Sequence, residues 1–287
     1  MKLNIIILAL FTIFSTVFLP VVGWSQGLLD GLETIGKPVP GGINFQPAAT
    51  DLARDIRWLD NMLLIFVIVT SVFVVILLGI VAVKYNRKSN PVPATFTHHS
   101  VVEVTWTVLP VLILIVIGSF SLPILFNQLE IPESEVTIKA TGNQWYWSYE
   151  YPEHKFSFDA FMLEREELEE YGYKKDEYLL ATDYPVVVPV DTNIRMQVAG
   201  ADVIHAWKMQ AFGVHMDAVP GRLNETWFNA DREGVFFGQC SELCGKNHSY
   251  MPIVVKVVSK ELYEKWLDGA ILEFAGEPRK IDIALQN

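Results

Sequence analysis

Apolar positions follow two different patterns along the chain, and the change falls near residue 130. Before it they run without interruption. Met62 to Val83 is 22 residues with no charged side chain, about 33 Å as a helix rising ~1.5 Å per residue. Val104 to Phe126 is a second such run. Pro110 and Pro123 fall inside it, which a span tolerates when neighbouring helices re-satisfy the backbone. Both runs are long enough for a hydrocarbon core of about 30 Å, so the pattern predicts a transmembrane hairpin over residues 59–127, with spans at about 62–83 and 104–126. An earlier apolar stretch, Ile5 to Val22, follows Lys2 and ends in Gly23, Trp24 and Ser25. That arrangement fits a signal peptide, residues 1–25, cut after Ser25, with an uncleaved first span as the rival reading. Residues 26–58 then form an N-terminal exported segment containing the linker GKPVPGGINFQP.

From Val136 the period becomes two. VTIKATG puts Val136, Ile138 and Ala140 on one face, and NIRMQVAG does the same with Ile194, Met196 and Val198. Further strand candidates are QWYWSYEY, YPVVVPV, GVFFGQ and MPIVVKVVS, separated by Gly, Pro, Asn and Asp. Short strands at this spacing predict a β-sandwich over residues 130–270. The Glu-rich stretch LEREELEEYGYKKDEY interrupts them and reads as a solvated helix. A last helix from about Ser259 to Leu267 pairs Leu262 with Trp266, and residues 271–287 form a tail.

Composition agrees with a membrane protein: 51% of the 287 residues are hydrophobic, more than a soluble domain needs. The net charge of −11 is unevenly placed, with 15 basic and 27 acidic residues from Glu130 onward. An acidic surface argues against nucleic acid, whose phosphates need Lys and Arg. It favours a basic protein partner or, more blandly, solubility. The connection between the spans carries Lys84, Arg87 and Lys88, against Arg54 and Arg57 before the first span. Counting basic residues alone, this bias puts the connection inside, and two spans after signal cleavage return the C-terminal domain outside. Trp58, Tyr85 and Trp106 sit near span ends, where interfacial aromatics belong.

The chemistry concentrates in one segment, CSELCGKNHSYM, which holds both cysteines of the chain. An exported domain makes a disulfide the first reading, but closing so short a loop is worth only about 2 kcal/mol. As ligands the segment is Cys240-x3-Cys244-x3-His248-x2-Met251, and ADVIHAW upstream offers His205 at a strand end. Thiolate, imidazole and thioether together suit copper, and a thioether is a poor zinc ligand, although Cys and His alone leave zinc open by count. A single blue-copper centre uses one Cys, two His and an axial Met. The surplus thiolate fits a pair of copper ions bridged by two thiolates.

CSELCGKNHSYM, ADVIHAW, GNQWYWSYEY, NPVPATFTHHS and EVTWTVLP together resemble subunit II of the haem-copper cytochrome c oxidases, in its bacterial, mitochondrial-like form. The resemblance implies a membrane-anchored, all-β protein: a two-helix hairpin followed by a cupredoxin-like β-sandwich with Greek-key connections. It implies a binuclear copper A centre held by His205, Cys240, Cys244, His248, Met251 and the Glu242 backbone carbonyl, with the Glu242 carboxylate on a magnesium ion shared with subunit I. Trp145 matches the aromatic that receives the electron from cytochrome c. Glu150 and Asp202 match acids that dock that cytochrome. Glu103 matches the entrance of a proton path into subunit I, with Val101 where some relatives carry a further acid. The implied partners are cytochrome c, subunit I with its haem a, haem a3 and copper B, and further oxidase subunits. The implied location is the bacterial inner membrane, with the copper domain periplasmic. His98, His99 and His154 lack motif support and read as solvated.

Other readings have their own difficulties. A copper-free quinol oxidase subunit would lack these Cys and His residues. In the copper domain of another respiratory reductase, or in a copper carrier, the two-span anchor and Glu103 have no explanation. A redox-sensing β-domain with a labile disulfide is a third reading, separated from the others by whether the domain takes up copper. Oxygen reduction itself belongs to the complex, since the spans carry no histidine set for haem.

Overall fold

A computed structural model describes residues 27–276; the expected signal peptide and most of the expected tail lie outside the described residues. After a short strand at Thr34–Gly36 come two long helices. α1 (Asp51–Lys84) and α2 (Ser100–Leu129) are 34 and 30 residues long, about 51 and 45 Å, so both expected spans sit inside helices that project beyond a hydrocarbon core. Both are apolar enough to cross a membrane. α2 runs unbroken through Pro110 and Pro123. Trp58 of α1 meets Phe120 of α2 edge to face at 5.5 Å.

Eleven short strands are present among the described residues: β1 (Thr34–Gly36), β2 (Val136–Asn143), β3 (Tyr146–Tyr151), β4 (Phe156–Ala160), β5 (Val186–Pro189), β6 (Asn193–Gly200), β7 (His205–Met209), β8 (Val214–Ala218), β9 (Asn224–Asn229), β10 (Gly234–Cys240) and β11 (Pro252–Val258). They form two sheets. One has the order β5-β11-β10-β7-β8, with β1 added on β10, and the other is β4-β3-β2-β6-β9. The predicted alternation holds: Ile138, Ala140, Ile194, Met196 and Val198 are fully buried between the sheets, where burial of one such side chain is worth roughly 1.5–3 kcal/mol. α3 (Lys260–Ala275) closes one end. Ser259 caps it by accepting from Leu262 N, and Trp266 packs 5.5 Å from Tyr151. This helix is longer than expected, because Ala270 and Ile271 continue its buried face.

One expectation fails. LEREELEEYGYKKDEY forms turns and a single 3₁₀ turn at Lys175–Glu177 rather than a helix. Leu168 and Tyr173 from it are buried in a small side cluster with Phe237 and Val254, and a chain folding down to bury both cannot keep a straight solvated helix.

Buried contacts weld the helices to the sandwich. Thr50 Oγ1 caps α1 by accepting from Ala53 N (2.9 Å) and donates to Phe212 O (2.8 Å). Gly213 lies against the same turn with φ of +71°, and a Cβ there would stand 3.0 Å from Ala53 Cα. At the other helix, Trp227 Nε1 donates to Asn127 O (3.1 Å). The start of α1 and the end of α2 therefore meet the domain on one side, as the topology of an even number of spans requires.

Candidate metal centre

The site forms at one end of the sandwich, where β7 begins, β10 ends and β11 begins. His205 opens β7 and Cys240 closes β10. The loop between β10 and β11 supplies Glu242, Cys244, His248 and Met251. His205, Cys240 and Cys244 are all buried, with ligand atoms within 4.8 Å of one another. The two sulfurs are free thiols 3.9 Å apart. Around Cys240 Sγ lie His205 Nδ1 (3.9 Å) and Glu242 O (3.3 Å), while Cys244 Sγ faces His248 Nδ1 (3.5 Å) and Met251 Sδ (3.5 Å). The structure thus gathers all six predicted donors.

The loop owes its shape to the facing sheet. Gln144 Nε2 (2.7 Å) and Trp145 Nε1 (3.2 Å) both donate to Cys244 O, and Trp147 Nε1 donates to Met251 O (3.2 Å). Two glycines are required by close approach. A Cβ on Gly142 would stand 2.8 Å from the His205 ring. Gly245 has φ of +124°, and a Cβ there would stand 2.9 Å from Trp145.

Sequence reasoning missed the support of His205. Asp202 Oδ1 lies 2.8 Å from His205 Nε2, which turns Nδ1 toward Cys240. A carboxylate behind a metal-binding imidazole fixes its tautomer and orientation. Asp202 also accepts from Val203 N (2.7 Å) and Gln144 N (2.8 Å). Burial alone would raise its pKa; His205 and the two amides hold it below the ordinary carboxylate value. The three-residue spacing between Asp202 and His205 was the available signal.

The other predicted residues are placed differently. Glu150 lies on β3 and pairs with Lys139 (3.2 Å), five residues along the strand from Trp145, roughly 17 Å. Glu103 lies near the start of α2, about 39 Å along the helix from its domain end. There it accepts from His99 N (3.0 Å) while His99 Nδ1 accepts from Val102 N (3.4 Å), a reciprocal cap of the helix start. His99 is therefore a capping residue that also stays exposed, in line with the solvated reading.

The donor chemistry fits a soft metal. Burial and a charge on Cys240 both raise the Cys244 thiol, partly offset by backbone, to about 12. Burial would raise Cys240, but its contacts with His205, Ala206, Glu242 and Cys244 outweigh it and leave the thiol below the ordinary value. Two buried sulfurs this close do not both ionise unless cations sit with them. Thiolate, imidazole and thioether in one cluster select copper over harder metals.

A β-sandwich carried on two membrane-length helices, with a copper-type donor cluster at one end, defines a membrane-anchored metalloprotein of the cupredoxin kind. Residues 38–124 match the transmembrane domain and residues 136–258 the periplasmic domain of the cytochrome c oxidase subunit II family models. The chain is 52% identical to cytochrome c oxidase subunit 2 of Cereibacter sphaeroides over 84% of both chains. It is 42% identical to that of Cyanidium caldarium, over 82% of this chain and 92% of the relative. A crystal structure of the periplasmic domain of subunit II of cytochrome oxidase from Bradyrhizobium japonicum is 51% identical, covering 50% of this chain and 99% of that one, with a TM-score of 0.46. The chain belongs to the cytochrome c oxidase subunit II family.

Proposed function

We propose that this chain is the electron-receiving subunit of a cytochrome c oxidase in a bacterial inner membrane, with the sandwich on the periplasmic side. The reading is carried by one observation: His205, the Glu242 carbonyl, His248 and Met251 converge on two buried thiols 3.9 Å apart. His205, Cys240, Cys244, His248, Met251 and the Glu242 carbonyl would hold two copper ions. When bound, that pair supplies a one-electron centre between cytochrome c and the haem of subunit I, where oxygen is reduced with proton pumping.

The remaining residues position, shield or dock. Asp202 holds His205 in one tautomer with Nδ1 facing the sulfurs. The Trp145 indole is hydrogen-bonded to the Cys244 carbonyl, which supports a through-bond contact between a half-exposed ring and a metal ligand. Trp147 fixes the Met251 backbone from inside the core. Asp202, beside Trp145, is the stronger candidate for docking a basic cytochrome; Lys139 offsets the charge of Glu150. The Glu242 side chain is exposed, which suits a magnesium site shared with subunit I, and Glu103 serves the proton-path entrance at the opposite end of the hairpin. Residues 1–25 serve as the signal peptide.

Substitution of Trp145 by Phe tests the reading. It removes the bond to Cys244 O while keeping an aromatic ring. Stopped-flow reduction by cytochrome c is expected to slow by tenfold or more at unchanged copper content, with an association rate that still falls as salt rises. Unchanged reduction would remove Trp145 from the path, and salt-independent association would remove the acidic docking face.

A further inference from the structure

A cavity of about 420 Å³ lies where the two helices meet the sandwich, and none of the six metal donors lines it. Its wall is apolar on the helix side, from Leu52 and Ile56 of α1 and Leu125 and Leu129 of α2, and carries Arg57 and Lys208. Arg57 lies five residues before the uncharged run that starts at Met62, about 7.5 Å along the helix, which places it at headgroup height. Trp58, exposed beside it, marks the same level.

The charges in this wall are unbalanced. Neither Arg57 nor Lys208 has a carboxylate partner among the described residues. Lys208 is the register partner of His215 across β7 and β8, so the residue opposite it brings no carboxylate. His215 has only Asp217, at 3.9 Å. Gln46, also in the wall, has a buried Oε1 with no hydrogen-bond partner, an acceptor waiting for a hydroxyl or ammonium. Two free cations, an acceptor for a polar headgroup and an apolar wall facing the membrane describe the parts of one amphiphile.

We propose that this cavity binds an anionic phospholipid, its phosphodiester on Arg57 and Lys208 and its first acyl carbons on Leu52, Ile56, Leu125 and Leu129. The inference goes beyond the electron-transfer role and rests only on the membrane anchor. A carboxylate from a neighbouring subunit would satisfy the cations, but it would leave the Gln46 acceptor unpaired.

The test uses the assembled oxidase in nanodiscs of phosphatidylcholine with a minor fraction of phosphatidylglycerol, re-extracted in mild detergent and weighed by native mass spectrometry. The wild type is expected to retain one more phosphatidylglycerol than the Arg57→Gln, Lys208→Gln double variant, with copper content equal in both. Arg57→Lys, which keeps the charge, should retain it. Millimolar inorganic phosphate should not displace it, because phosphate lacks the acyl part. Equal retention by wild type and double variant, equal retention of phosphatidylcholine, displacement by phosphate, or loss of the neighbouring subunit in place of lipid would each overturn the proposal.

Discussion

In the hairpin, large side chains face outward: Ile65, Val75 and Leu78 are more than 60% exposed, and Leu52 and Ala53, at the domain end, are the only buried residues of the two helices. In the sandwich, residues of the same kind are interior, and Trp147, Trp207, Phe212 and Phe236 are completely covered. The difference lies in what each region needs for its meaning to appear. The sandwich buries its own surface and assembles its site from its own residues. The hairpin leaves both tasks to lipid and neighbouring subunits, so Glu103 presents itself in this chain as a helix cap and nothing more. A functional residue is readable from one chain where that chain supplies its surroundings.

Three perturbations test that contrast, in falling order of effect. Asp202→Ala removes a support that lies wholly within the sandwich. It should lower copper affinity by 10- to 100-fold, measured by competition with a chelator, with Asp202→Asn intermediate. An unchanged affinity would return Asp202 to a docking role alone.

Lys256 lies on the face of β11 turned away from the inter-sheet core, with only 7% of its surface exposed, over the Tyr173 ring. Burial lowers its pKa to about 8, against the attraction of Asp30 and Glu177. The unfolded chain keeps this proton up to about pH 10.5, so between pH 8 and 10.5 the unfolded state binds more protons and stability rises with pH; below pH 8 the penalty is complete. Lys256→Met should therefore stabilise the chain at pH 7, by on the order of 2 kcal/mol after the lost ring contact is counted, and by much less at pH 10.5. Thermal unfolding followed by tryptophan fluorescence at the two pH values measures this, and a gain that grows with pH would contradict it.

Glu103→Gln keeps the bond to the His99 amide. Unfolding of the isolated chain should change by less than about 0.5 kcal/mol, while proton uptake by the assembled oxidase slows severalfold. An equal effect in both settings would mean that Glu103 is only a cap.

What the sequence disclosed follows the same division. Strands β2 and β6 were legible because Ile138, Met196 and their neighbours alternate strictly, and the donor loop because its four side-chain donors, Cys240, Cys244, His248 and Met251, are unusual in company. The spans needed only length and the absence of charge. Strand β9, NETWFN, was hidden because Asn and Glu surround its two buried positions, Thr226 and Phe228. The segment from Glu164 to Tyr178 misled because its charge suggested a solvated helix, whereas Leu168 and Tyr173 turn it inward. Asp202 was read by its charge, and its distance to His205 belongs to the fold. Gly142 gave no local sign that it lies against an imidazole from the other sheet.

The most direct test of the central claim is electron paramagnetic resonance, with copper analysis, on the copper-loaded wild type and on Cys244→Ser. The account predicts two copper ions per wild-type chain and one unpaired electron shared equally by both nuclei, with the shared signal lost in Cys244→Ser. A single-nucleus copper spectrum, or a zinc-loaded or disulfide-linked colourless wild type, would contradict it.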